Sequence, residues 1–212
     1  WACLIAKKSE VFVCFLKVKS LAERETGCNI KCLRFNEEKE YFSDQFSSYL
    51  QKGGFRREFL CRYTPEQNGV AEWKNQTIEE VARAILEEKH MPKFYWAEAV
   101  LTAVYLQNRT FANGGVSTHK LYFGKNPNLA HLRVFGIIGY VQGPKDKRRK
   151  LEAKSENCIL VSYSDEQKGY KCYNPRTKHA QVRCDVVFDE SVSWYIFDMA
   201  RGKNEPPRMR SN

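Results

Sequence analysis

The sequence contains no run of 18 apolar residues, which excludes an ordinary membrane-spanning helix. It has no CxxC pair: the closest spacing among its 8 cysteines is Cys28 to Cys32, and no nearby His completes a zinc pattern. His90, His119, His131 and His179 are scattered, with no metal-ligand spacing among them. No internal repeat of useful length is present, which argues against a solenoid or a propeller. The opening apolar stretch Trp1–Ala6 has no charged segment before it and no small-residue cleavage site after it, so no signal peptide is expected. A start at Trp1 rather than Met reads as a fragment.

What is present is a globular composition. Of 212 residues, 42% are hydrophobic, 28% charged and 13% aromatic, so disorder is excluded and one large domain or two small ones are expected. A chain of this length can bury roughly two thirds to three quarters of its unfolded surface. Lys and Arg total 35 against 25 Asp and Glu, a net charge of +10. Such a balance favours polyanionic partners, nucleic acid first, with plain solubility charge as the alternative. Up to residue 125 there are 19 basic and 15 acidic residues, and after it 16 and 10, so the shorter second part is the more basic. Its dense run is Lys145-Asp146-Lys147-Arg148-Arg149-Lys150, a nucleic-acid contact or a solvated hairpin tip. Most cysteines sit among apolar neighbours, as in Val13-Cys14-Phe15 and Cys158-Ile159-Leu160, and are expected as reduced core residues.

The apolar spacing predicts a strand over Trp1–Ala6, then a helix through Val11, Phe12, Phe15, Leu16 and Leu21 that ends at Gly27. A second strand follows over Asn29–Phe35. Ser43-Asp44 opens a short helix carrying Phe46, Tyr49 and Leu50, and Phe55–Leu60 is a third strand. Thr64-Pro65-Glu66-Gln67-Asn68-Gly69 reads as a polar loop. Val70, Ile78, Val81 and Ile85 then predict a long helix, Pro92 interrupts it, and a second helix runs over 94–109. This is an α/β order. After Pro127 the character changes to short strand-like runs: 132–136, 140–141, 157–163, 169–173 and 180–188. Several short strands joined by tight turns suggest a small barrel. Residues 201–212 read as a frayed tail.

Two segments carry the chemistry: Leu33-Arg34-Phe35-Asn36-Glu37-Glu38-Lys39-Glu40-Tyr41 at a strand end, and Tyr63-Thr64-Pro65-Glu66-Gln67-Asn68-Gly69-Val70-Ala71-Glu72 where the long helix begins. Between Asn36 and Glu72 lie 35 residues. In order and spacing these resemble the integrase of copia-type LTR retrotransposons. In that family the first segment reads like L-R-S-D-N-G-G-E-Y and the second like T-P-Q-x-N-G-V-A-E-R-x-N-R-T. Phe94-Tyr95-Trp96-Ala97-Glu98-Ala99, Asn108-Arg109-Thr110 and His131-Leu132-Arg133-Val134-Phe135-Gly136 are further family-like stretches. Residues 169–190 look like the SH3-like domain that follows the catalytic core in such polyproteins.

The resemblance implies an α/β ribonuclease-H-like core, a mixed sheet flanked by helices and here lacking its first strand, over residues 1–125. It implies a small all-β SH3-like barrel over 126–192, with a polar tail at 193–212. It implies DNA integration by 3′ processing and strand transfer at three carboxylates, two Asp and one Glu, that bind two Mg²⁺ or Mn²⁺ ions. Hard cations stabilise charge on the attacking and leaving oxygens, and clustered carboxylates hold them. The family's first Asp lies before the stretch that Trp1–Ala6 resembles, its second aligns with Asn36, and Glu72 matches the third. An amide carbonyl holds a hard dication much more weakly than a carboxylate. Glu37, one residue on, points to the opposite face of a strand. The expectation is therefore an integrase-derived fragment, catalytically inactive, with no stably bound metal. A working enzyme completed by Glu37, a non-enzymatic DNA-binding module domesticated from a transposon, and a decaying copy are the other readings.

Arg34, Arg62, Lys74, Arg83, Lys145, Lys147, Arg148, Arg149 and Lys150 are the candidate nucleic-acid contacts. Family arginines are replaced by Trp73 and Gln76. The expected partner is double-stranded DNA bound without sequence preference. Self-association is left open, no membrane is involved, and the family implies the nucleus.

Overall fold

The computed structural model describes residues 1–35, 43–59, 65–110, 115–142, 155–164 and 167–194. Packing divides the chain into two compact units, Trp1–Gln76 and Thr77–Asn212.

The first unit is α/β. A single 3₁₀ turn, Lys8–Glu10, leads into α1 (Val11–Thr26), which stops where Gly27 takes the left-handed conformation that a glycine adopts without strain. β1 (Cys32–Phe35) and β2 (Arg56–Phe59) pair in parallel, Cys32 opposite Arg56 and Arg34 opposite Glu58. A parallel pair needs a crossover, and α2 (Asp44–Lys52) lies between the strands in sequence. Ser43 caps α2 by accepting a hydrogen bond from the Phe46 amide at 3.3 Å. Phe46 and Leu50 are the buried residues of α2. Phe12 and Phe15 of α1 meet Phe46 edge-on at 5.4 and 5.0 Å between ring centroids. Phe55 adds a stacked contact to Tyr49 at 6.0 Å.

Helix α3 (Pro65–Glu88) runs across the division between the units. In the second unit Ala82 and Leu86 of α3 join Met91, Tyr95 and α4 (Trp96–Arg109), whose Ala99 and Ala103 are fully buried. They cover one face of a five-stranded antiparallel sheet, contributed by Ile138, Ile159, Val161 and Tyr173. The strands are β3 (Ile137–Gln142), β4 (Ser155–Ser164), β5 (Gly169–Asn174), β6 (His179–Arg183) and β7 (Val186–Ser193), in the order β6-β5-β4-β3-β7. α5 (Thr118–Phe123) is capped by Ser117 and closed by Gly124.

Two polar ties fix α4 on the sheet. Thr102 Oγ1 donates to the Val161 carbonyl at 3.3 Å, and Lys171 Nζ donates to Glu98 Oε1 at 2.7 Å. A third cluster holds the segment before β3. Tyr105 stacks on Tyr163 at 4.5 Å and 11°, Arg109 lies 3.4 Å over the Tyr105 ring, and Tyr105 Oη pairs with His131 Nε2 at 2.7 Å. Tyr163 Oη accepts from the Arg133 amide and donates to its carbonyl.

The expected order, α/β followed by a short-stranded all-β unit, is the order observed. Six expectations are corrected. Trp1–Ala6 is not a strand: it joins neither sheet among the described residues, and Trp1, Leu4 and Ile5 are exposed. The proposed loop at Thr64–Gly69 is helical from Pro65, because proline's fixed φ and missing N–H suit a first helical position. Residues 132–134 are irregular and Phe135-Gly136 form a turn rather than a strand, and 180–188 is two strands broken at Cys184-Asp185. The expectation of core cysteines holds for Cys158 and Cys172, while Cys3, Cys28, Cys32 and Cys184 are exposed. Trp194, assigned from sequence to the polar tail, is a core residue packed against Tyr95 at 6.3 Å. The two compact units divide between Gln76 and Thr77, and α4 packs on β4 within the second. Residues 201–212 lie outside the described ones.

Candidate functional site

Glu72 lies on α3, in the first unit. Its helix starts at Pro65, six residues after β2 ends, so the strand and the proline together set where the carboxylate stands. Its side chain is exposed, as are Trp73, Lys74, Asn75 and Gln76 after it. Asn36 follows directly on β1, but Asn36 and Glu37 lie outside the described residues. Among the described residues no group of three or more His, Cys, Asp or Glu side chains could hold a metal ion.

The basic candidates do not behave alike. Arg34 extends from the exposed side of β1 and is bound by its cross-strand partner: Nε and Nη2 both donate to Glu58 Oε2, at 3.0 and 2.8 Å. Arg56 binds the other oxygen of the same carboxylate. Hydrogen bonds from Arg56 and then Arg34 pull the Glu58 carboxyl down to about 2, so it stays charged through the physiological range. Arg34 is thus held in an exposed ion pair with Glu58, which it shares with Arg56. Lys74 is exposed, with Nζ 5.1 Å from the centroid of the Trp73 ring. Arg83 belongs to the second unit, where it lines a groove of ≈ 770 Å³ with Leu86, Met91, Lys93 and Trp96. Arg62 and the run Lys145, Lys147, Arg148, Arg149 and Lys150 lie outside the described residues. The candidate cations therefore fall on both units rather than in one described cluster.

Sequence reasoning missed the Glu58 clamp, because its partners are brought together by the β1–β2 register and not by any sequence spacing. It also missed the pair of Glu98 and Lys171, which are 73 residues apart. Trp73, which stands where the family has an arginine, is 54% exposed. The two buried thiols are hydrogen-bonded to each other, which lowers the pKa of Cys158. The hydrogen bond with Cys158, and burial, push the Cys172 thiol far up, and a protonated thiol is neither nucleophile nor metal ligand.

Comparison with known proteins matches residues 138–198 to the family model of the retroviral polymerase SH3-like domain. The chain is 39% identical over 202 residues, 94% of its length, to the retrovirus-related Pol polyprotein from transposon TNT 1-94 of Nicotiana tabacum. It is 33% identical over 192 residues, 90% of its length, to the corresponding polyprotein from transposon RE2 of Arabidopsis thaliana. It spans 15% and 13% of those two polyproteins. Among solved structures, the catalytic core domain of BIV integrase superposes with a TM-score of 0.43 and 16% identity, over 58% of this chain and 76% of that one. A superposition that loose does not by itself define a fold. The sequence identities run through both units: over 90–94% of its length the chain is similar to retrovirus-related Pol polyproteins of copia-type retrotransposons, and residues 138–198 match the retroviral polymerase SH3-like domain.

Proposed function

We propose that this chain is the integrase-derived part of such a polyprotein, with a ribonuclease-H-like ancestry for its α/β unit, and that it binds DNA without catalysing strand transfer. The observation that carries the reading is the placement of Glu72: an exposed carboxylate on α3, reached from β2 through the Thr64–Glu72 segment and upstream of the SH3-like domain in the same chain. The net charge of +10 supports a polyanionic partner.

The donor set does not fit a pair of hard cations. Of the two family carboxylate positions this chain covers, one is Glu72 and the other is the amide Asn36. An amide supplies one neutral oxygen where Mg²⁺ or Mn²⁺ needs charge. No catalytic step through a metal follows from these residues. DNA, self-association and a nuclear location complete the proposal.

The test pairs two assays on the full chain. Fluorescence anisotropy with a labelled duplex should show binding that weakens steeply with salt, because displaced counterions carry the affinity. Strand transfer with Mg²⁺ or Mn²⁺ should stay at background. Turnover above background by the parent chain refutes the inactive reading, and salt-independent or absent binding refutes the DNA reading.

A further inference from the structure

We infer that Trp73 is a stacking platform for an unpaired base, so that the nucleic acid met beside Glu72 is single-stranded or frayed rather than intact duplex. This rests on the nucleic-acid reading above.

The indole is 54% exposed on α3, although a buried tryptophan contributes more to stability than almost any other side chain. An isolated exposed aromatic would need no explanation. This one has a particular setting. Glu72, Lys74, Asn75 and Gln76 beside it in sequence are all exposed and polar. Lys74 Nζ stands 5.1 Å from the ring centroid. An aromatic face beside a lysine is the combination that holds single-stranded nucleic acid: the ring takes the base and the cation takes the phosphate next to it.

The geometry also selects the strand state. A base inside a duplex has both faces covered by its neighbours, and an indole on a helix surface cannot reach either without unstacking the step. An unpaired base offers a face at no such cost. Stacking tolerates any base, so the site discriminates strand state and not sequence.

The experiment uses the full chain with an oligonucleotide of about twenty residues carrying 2-aminopurine at successive positions, single-stranded or annealed to its complement, at matched salt. Stacking on Trp73 quenches the 2-aminopurine. Trp73→Ala is expected to lower single-strand affinity by at least about fivefold, the lower end for one stacked base, and to abolish the quench. Duplex affinity and the salt slope should move less than twofold, Trp73→Phe should retain most of the effect, and Trp1→Ala should change nothing. Equal losses on single strand and duplex, or no loss on either, overturn the inference while leaving DNA binding intact. Absence of binding to both substrates by the parent chain overturns the nucleic-acid reading and this inference with it.

Discussion

Replacing Lys171 by Met should destabilise the second unit more than replacing Glu98 by Leu, although the two changes break the same ion pair. The reason is where each survivor is left. The Glu98 side chain is 8% exposed, and its Oε2 has no hydrogen-bond partner among the described residues, so Lys171 supplies most of what compensates the buried charge. Without it, an anion stays in the interface between α4 and β5, and an uncompensated buried charge costs about 3–5 kcal/mol. The partial exposure of the pair reduces this to roughly 2–3 kcal/mol here. Lys171 is 34% exposed, so in the Glu98→Leu variant its ammonium can turn to water on a flexible stem, and the cost should be about 1 kcal/mol or less. The double variant Glu98→Leu with Lys171→Met buries only apolar groups and should recover to within about 1 kcal/mol of the parent. Urea denaturation followed by tryptophan fluorescence measures all four corners of the cycle, with constant m-values as the check that only stability has changed. Equal single-variant costs, or a larger cost for Glu98→Leu, would show that the carboxylate is hydrated and that burial does not govern this pair.

Phe46→Ala should cost roughly 3–5 kcal/mol in the first unit, because the ring is buried and fills the space between Phe12 and Phe15, and near-UV circular dichroism on thermal melting would show it. Gly139→Ala should cost about 1–3 kcal/mol by denaturant titration, since an added Cβ would stand 2.6 Å from Val186 Cγ1 and 2.9 Å from a ring carbon of Phe188. Glu58 should titrate near pH 2 by carbon NMR. Its folded-state pKa is depressed, so the contribution of the Arg34–Glu58–Arg56 cluster is fully present above the ordinary carboxylate range and is lost as pH falls toward 2. Arg34→Ala should move that titration upward by removing one of the two guanidinium partners, and an unmoved titration would refute the clamp.

Local chemistry was readable wherever one residue acts on its own neighbours. Ser43 announced α2 because a hydroxyl three residues before a free amide is itself the cap, and Gly27 announced the end of α1 because its backbone conformation is. The long helix was readable from Ile78, Val81 and Ile85, which share a face. α5 was missed because six residues are too few to show a period. Trp1–Ala6 was misread because an apolar run becomes a strand only with a partner to accept its hydrogen bonds. The break in 180–188 carries neither Gly nor Pro, so nothing local marked it. At the site, Glu72 was visible from its motif, but the pairing of Arg34 with Glu58 was not. That depends on Arg34 and Glu58 standing opposite each other across two strands, and strand register is a property of the fold.

The features that hold Glu72 in position are separate from those that metal chemistry would need. Pro65 sets the start of its helix, and Ala82 and Leu86 bury that helix's far end against the second unit's core. None of these is a metal ligand. An amide at position 36 where the family has a carboxylate changes charge at nearly constant side-chain size. Asn36→Asp restores that charge, and carboxylates brought together without a cation repel, so the change should lower stability rather than leave it unchanged. A scaffold can thus outlast its chemistry. What such a chain can still do is decided by surfaces whose affinity comes from phosphate charge and exposed rings, and on α3 that surface is Trp73 with Lys74.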